Sequence, residues 1–197
     1  MDSKEIIPEQ NDGIQSNTES EIELSGEVEA KSFFETVKKR LLKINEWHHF
    51  AGTGTADFQL TDEFGNSIDR LPQKGDHFKI DIPGPGSVTG EGNDWVKVEE
   101  ITEKEDCFGI RVRPATNPMN ERNDVAHFFD EAATSTFIVK RIKNKVIAGV
   151  YGRNEKANTD TEKTVDKIRN AAIATGAISG FSKLQWKSLV NGLVKKT

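Results

Sequence analysis

The chemistry this chain can offer is concentrated in few side chains. Arg111-Val112-Arg113 places two guanidinium groups at alternate positions of an apolar run. On a strand both would stand on the face opposite Phe108, Ile110 and Val112, where an arginine fork can hold a carboxylate or phosphate in bidentate fashion. Gly152-Arg153-Asn154-Glu155 ends the last hairpin strand, where a compact charged turn is expected, and Arg153 is a further candidate site residue there. The glycine-rich segment 84–92 (GPGSVTGEG) has the look of a phosphate loop, but its third glycine falls one place late for G-x-G-x-x-G. It also leads into a strand near Trp95 instead of a helix and lacks Gly-Lys-Ser/Thr, so it reads as a hairpin loop. His48 and His49, adjacent in sequence, diverge by about 100° on a helix and make a poor metal pair. Cys107 is the only cysteine. It excludes an intramolecular disulfide and a cysteine-rich zinc site, and its place in an alternating strand suits a buried thiol. No catalytic signature for acyl transfer, metalloprotease or kinase chemistry occurs, so no reaction can be assigned and no cofactor is expected.

The elements that must carry these residues follow from periodicity. Ser32-Phe33-Phe34-Glu35 has the form of a capping box. It predicts a helix with Phe33, Val37, Leu41 and Ile44 on one side and lysines and Arg40 on the other, ending near Trp47. The period then changes to two. Residues 56–60, 78–82, 96–101 and 108–112 alternate apolar and polar side chains, with Ile101 out of phase as a β-bulge would leave it. Residues 136–141 and 146–151 flank Lys143-Asn144 as a hairpin. The stretch 124–133 fits a short helix or an irregular crossover equally well. Thr159-x-x-Glu162 opens a further helix with Val165, Ile168, Ala172 and Thr175 along one side and Gly176 as its stop; a last helix starts at Ser182. Helices at the two ends of about six antiparallel strands make a single-domain α+β protein, because nothing supplies the crossovers of a parallel sheet.

Charge divides the chain. Residues 1–30 carry nine acids against one lysine, a net of −8, in a chain of 197 residues whose net charge is −5, so the body is mildly basic. That composition predicts a disordered acidic tail over 1–30 ahead of a domain over 31–197. Residues 163–197 hold seven basic side chains against one acid. No nucleic-acid motif accompanies them, so they read as solvated helix faces. No run approaches the roughly 20 apolar residues of a membrane span, and no secretory leader pattern is present, which places the protein in the cytoplasm as an expectation.

Residues 21–50 (EIELSGEVEAKSFFETVKKRLLKINEWHHF), the strands after them, the Lys74-Gly75-Asp76 turn and the C-terminal helix resemble the START/Bet v 1-like (SRPBCC) superfamily. The resemblance implies a helix-grip fold, a curved sheet wrapped around a C-terminal helix and an apolar cavity, and it would make 21–30 the first strand, shortening the tail to about the first 20 residues. It implies a protein that binds an apolar or amphipathic small molecule there. On this reading Trp47, Phe58 and Trp95 line or rim the pocket, and Arg111, Arg113 or Arg153 anchors a polar end. Two other classes stay open: an interaction module whose basic helix face meets an acidic protein partner and is screened by the tail, and an enzyme of unknown reaction.

Overall fold

A computed structural model describes residues 6–83, 86–121, 123–159, 164–172 and 178–196. Seven strands form one sheet: β1 (Ile14–Glu23), β2 (Asp57–Thr61), β3 (His77–Asp81), β4 (Asp94–Lys104), β5 (Cys107–Pro114), β6 (Thr134–Ile142) and β7 (Lys145–Glu155). Their order is β1-β7-β6-β5-β4-β3-β2, and every pair is antiparallel. Helices α1 (Glu27–Leu42) and α2 (Trp47–Ala51), joined by a single 3₁₀ turn, connect β1 to the far edge at β2. Helices α3 (Thr164–Ala172) and α4 (Ile178–Leu193) follow β7. The chain is thus α+β, with one strand more than periodicity showed.

The extra strand is the largest departure from the sequence reading. The segment expected as a disordered tail contains β1, which runs Ile14–Glu23 and not 21–30. Its glutamates are neutralised across the strands: Glu21 meets Lys145 at 2.8 Å, and Glu19 accepts from Lys140 at 3.3 Å and from the Tyr151 hydroxyl. Opposite charges facing one another across a ladder stabilise pairing that the same charges would oppose alone. Ahead of β1, Ile6 packs on Cys107, Ile138 and Tyr151 on the convex side of the sheet.

The helix likewise begins earlier than the Ser32–Glu35 box implied. Ser25 and Glu29 serve the role instead: the Ser25 amide donates to Glu29 Oε2 at 3.1 Å and its hydroxyl at 2.5 Å, just ahead of the first turn at Glu27. Phe34, not Phe33, takes the buried position beside Ala30, Val37 and Leu41. Two local readings hold. The β4–β5 register shifts between Val98 and Glu100, the bulge that Ile101 requires, and Lys143 turns the β6–β7 hairpin at φ 53°. Residues 124–133 form no helix, only isolated bridges such as Phe129 with Ala157. The capping residue Glu162, and Thr175 and Gly176, lie outside the described residues.

The concave face of the sheet is filled. Phe58, Leu60, Phe78, Val96, Val98, Phe108, Ile110, Phe137, Val139 and Val150 meet one face of α1 and the Leu189, Val190 and Leu193 stripe of α4. Trp47 sits in the middle, fully buried, its indole N–H donating to Leu41 O at 2.9 Å. Its ring lies 4.7 Å from Phe137 and 5.2 Å from Phe58.

Candidate functional site

The filling stops at the strand ends where β2 and β4 begin and β3 and β7 finish. A cavity of about 40 Å³ remains there, walled by Phe58, Ile80, Ile82, Phe128, Phe129 and Trp186 on its apolar sides. Ser135, Glu155, Ser182, Gln185 and His127 supply polar groups. Since a water needs roughly 10–15 Å³ by the same measure, the space holds a few heavy atoms and no more. The depression is therefore far smaller than the roughly 300–1,000 Å³ of drug-sized ligand pockets.

Two polar groups in this wall lack what a core normally gives them. Gln185 is 3% exposed. Its Oε1 accepts the Ala56 amide at 2.7 Å, while its Nε2 has no partner among the described residues. Glu155 reaches the cavity through a bulge in β7. Ile14 pairs with Glu155 but Ser16 pairs with Gly152, so β7 carries one extra residue, and the extra step turns Glu155 to the concave side. Asn154 pays the conformational cost at φ 56°. The N-terminal segment holds it: Asn154 Oδ1 accepts the Asn11 amide at 2.8 Å, and the Asn154 amide donates to Gln10 Oε1 at 2.9 Å. Gly152 leaves room for the result, since a Cβ there would lie 2.0 Å from Glu155 Oε1. Burial raises the Glu155 pKa, opposed by the Ser16 hydroxyl at 3.2 Å and by Arg153.

A buried polar cluster closes the same end. Arg169 of α3 grips Asp94 at the start of β4 in bidentate fashion, at 2.6 and 3.1 Å, with both side chains almost wholly buried. Asp166, one turn earlier, accepts the Val88 and Thr89 amides at 2.9 and 2.8 Å and the Thr89 hydroxyl at 2.6 Å. The described part of the glycine-rich loop is thus pinned by a helix carboxylate, and no phosphate cradle is left open. Asn170 donates to Asn158 O, and Asn158 in turn donates to Val125 O and His127 O. Burial drives the His127 pKa down to about 4, against the pull of Asp94, and its Nδ1 accepts the Phe129 amide at 2.9 Å. The imidazole is neutral at pH 7, with its proton on Nε2.

The α3 helix is consequently turned over relative to the sequence reading. Val165 and Ile168, expected inside, are 65% and 68% exposed, and Asp166, Arg169 and Asn170 are buried.

Of the six residues proposed to line or anchor a ligand, the structure brings Phe58 alone to the cavity. Trp47 lies a layer deeper, behind Phe58, in the packed core. Trp95 is fully buried on the convex side, its indole N–H donating to Gly90 O at 3.2 Å. Arg111 and Arg113 share that convex face and are spent on Glu99 and Glu100: Arg111 Nη2 meets Glu100 Oε2 at 2.5 Å and Arg113 Nε meets Glu99 Oε1 at 2.5 Å. Arg153 ties β1 to β7, donating to Asn17 Oδ1 at 2.8 Å and Gly152 O at 2.6 Å. Cys107 is buried, and burial raises its pKa, so it carries no thiolate at neutral pH. The residues that do gather at the cavity, Glu155, Gln185, Trp186 and Phe128-Phe129, gave one local signal, the clustered aromatics at 128–129. The basic face of α4 borders a wider surface groove of about 550 Å³ beside the edge strand, with Lys183, Leu184 and Lys187 on one wall and Asn17 to Glu19 on the other. No helix among the described residues is long and apolar enough to cross a membrane.

No family model and no curated protein matches the chain. Among solved structures it is similar to a hypothetical protein from Helicobacter pylori, at 12% identity over 91% of this chain and 86% of that one, with a TM-score of 0.55. It is also similar to truncated norcoclaurine synthase from Thalictrum flavum, at 10% identity over 96% of this chain and 100% of that one, with a TM-score of 0.45. The likeness to the Helicobacter pylori protein is one of fold alone.

Proposed function

We propose that this protein binds a small molecule, apolar over most of its surface and polar at one end, in the cavity between the sheet and α4. One observation carries the reading. The cavity wall is aromatic and aliphatic except for a few polar groups, and one of these, the buried Gln185 Nε2, has no hydrogen-bond partner among the described residues. An unsatisfied buried donor costs about 1–3 kcal/mol, and a ligand oxygen accepting from it recovers that loss. The filled core limits the ligand: a fragment of a few heavy atoms fits as the walls stand, and a larger one enters as half-buried Phe129 and Trp186 swing outward.

The test is native mass spectrometry of the purified protein, followed by titration of small aromatic and aliphatic alcohols, amines and acids with NMR detection at the Trp186 indole. Binding is expected to shift Trp186 and leave the Trp95 indole, on the other face, unmoved. Ser135→Leu, which fills the cavity from β6, abolishes the shift. A panel in which no compound perturbs Trp186 at millimolar concentration overturns the proposal.

A further inference from the structure

We infer that the cavity selects a small cationic amine, with Glu155 as its counter-ion; the inference rests on the binding reading above and names the ligand class. Four aromatic side chains, Phe58, Phe128, Phe129 and Trp186, line a space of about 40 Å³. Aromatic faces attract a cation through the ring quadrupole, and more strongly where water is excluded. A space this size suits a compact alkylammonium head better than a long chain.

The carboxylate in the wall supplies the complementary charge. Glu155 makes no ion pair with a lysine, arginine or histidine among the described residues; its hydrogen-bond partner is the Ser16 hydroxyl. Other carboxylates in this protein show a different pattern. Asp94, fully buried, is neutralised by Arg169, and partly exposed Glu99 by Arg111 and Arg113. Glu155 is partly buried, and taking a carboxylate even partly out of water without a cation beside it carries a cost that a bound cation would offset. This cost is built in deliberately by local geometry. An unbulged strand would point Glu155 to the convex face and into solvent. The bulge, the left-handed Asn154 and the Gly152 clearance turn it inward, and Gln10, Asn11 and Asp12 clamp Asn154 from 142 to 144 residues away. Gln185 Nε2, which has no partner among the described residues, suits an oxygen acceptor carried by the same ligand.

Three compounds of one shape isolate the charge: tert-butylammonium, tert-butanol and pivalate, titrated into the full chain. The cation is expected to bind at least tenfold more tightly than the alcohol and pivalate more weakly than either. Glu155→Gln is expected to remove the cation's advantage while leaving the alcohol's affinity unchanged. Phe129→Leu, which keeps volume but removes a ring, is expected to weaken the cation more than the alcohol, and it decides the matter should Glu155→Gln fail to fold. Equal affinities for the three compounds, or an advantage that survives both substitutions, overturn the inference and leave the binding reading standing. Failure of all three to bind overturns both.

Discussion

The two halves of the concave face are built on opposite principles. Toward α1 the interior is apolar throughout: Phe34, Val37 and Leu41 press on Phe108, Ile110 and Val139, and Trp47 is the sole polar-tipped ring, satisfied by Leu41 O. Toward α3 the protein is closed by charge and amide instead, through Asp94–Arg169, Asp166 with the Val88–Thr89 amides, and Asn170–Asn158. Apolar packing gains stability from area and is indifferent to fine geometry. A buried polar cluster contributes only when every member is satisfied, and in return it specifies one arrangement. The cavity, where Gln185 Nε2 has no partner and Glu155 no ion pair among the described residues, lies at the second kind of closure, where a missing partner is an incompleteness and not a packing flaw.

The largest expected effects compare the halves directly. Trp47→Ala removes a fully buried ring and should cost about 3–5 kcal/mol by large-to-small core behaviour. Arg169→Met should cost a similar amount, about 3–5 kcal/mol, because Asp94 is left as an uncompensated buried charge. The two differ in repair. Adding Asp94→Asn to Arg169→Met should recover much of the loss, whereas no polar change rescues Trp47→Ala. Urea unfolding of the four proteins measures this, and an Asp94→Asn, Arg169→Met double variant no more stable than Arg169→Met alone would show that the pair is not what closes α3.

Acid should act on the polar half first. Burial holds His127 at about 4 against an ordinary 6.5, so the neutral ring is the form the folded state accepts. A depressed folded-state value gives stability that is complete above pH 6.5 and is lost as pH falls toward 4, about 3 kcal/mol by the lower limit. His127→Gln does not titrate, and the difference between its stability and that of the parent should shrink by about that amount across this window. A difference independent of pH between 6.5 and 4 would mean that His127 titrates normally and is not buried beside Phe128.

The same contrast sets what the sequence could convey. Alternation over 56–60, 78–82, 96–101 and 108–112, with the hairpin at 136–151, reports a sheet with one filled face, and it located six strands and the β4 bulge without help. It missed β1 because the glutamates there look like a solvated tail until Lys140, Lys145 and Tyr151 face them, and those partners are more than 120 residues away. The cavity was hidden for the same reason. Glu155 turns inward because Gln10 and Asn11 hold Asn154, and no window of sequence contains both. The ligand-anchor role assigned to Arg111 and Arg113 failed on the converse: their spacing puts them on one face, but Glu99 and Glu100 were already there to use them.

The α3 helix is the sharpest instance, because periodicity there sorts the faces correctly and then assigns them the wrong way round. Val165 and Ile168 do lie together, and Asp166, Arg169 and Asn170 do oppose them; only the partners decide which side turns in. The smallest predicted effect tests this most directly. Replacing both Val165 and Ile168 by serine should change stability by no more than about 0.5 kcal/mol, since exposed apolar side chains contribute little to folding. Val37→Ser on α1, a residue of the same type but fully buried, should cost about 2–4 kcal/mol in the same urea titration, the sum of lost burial, a cavity and a hydroxyl without a partner. If the paired substitution on α3 costs as much as the single one on α1, the apolar face of α3 is covered in solution, and the polar closure of this end gives way to an ordinary apolar one.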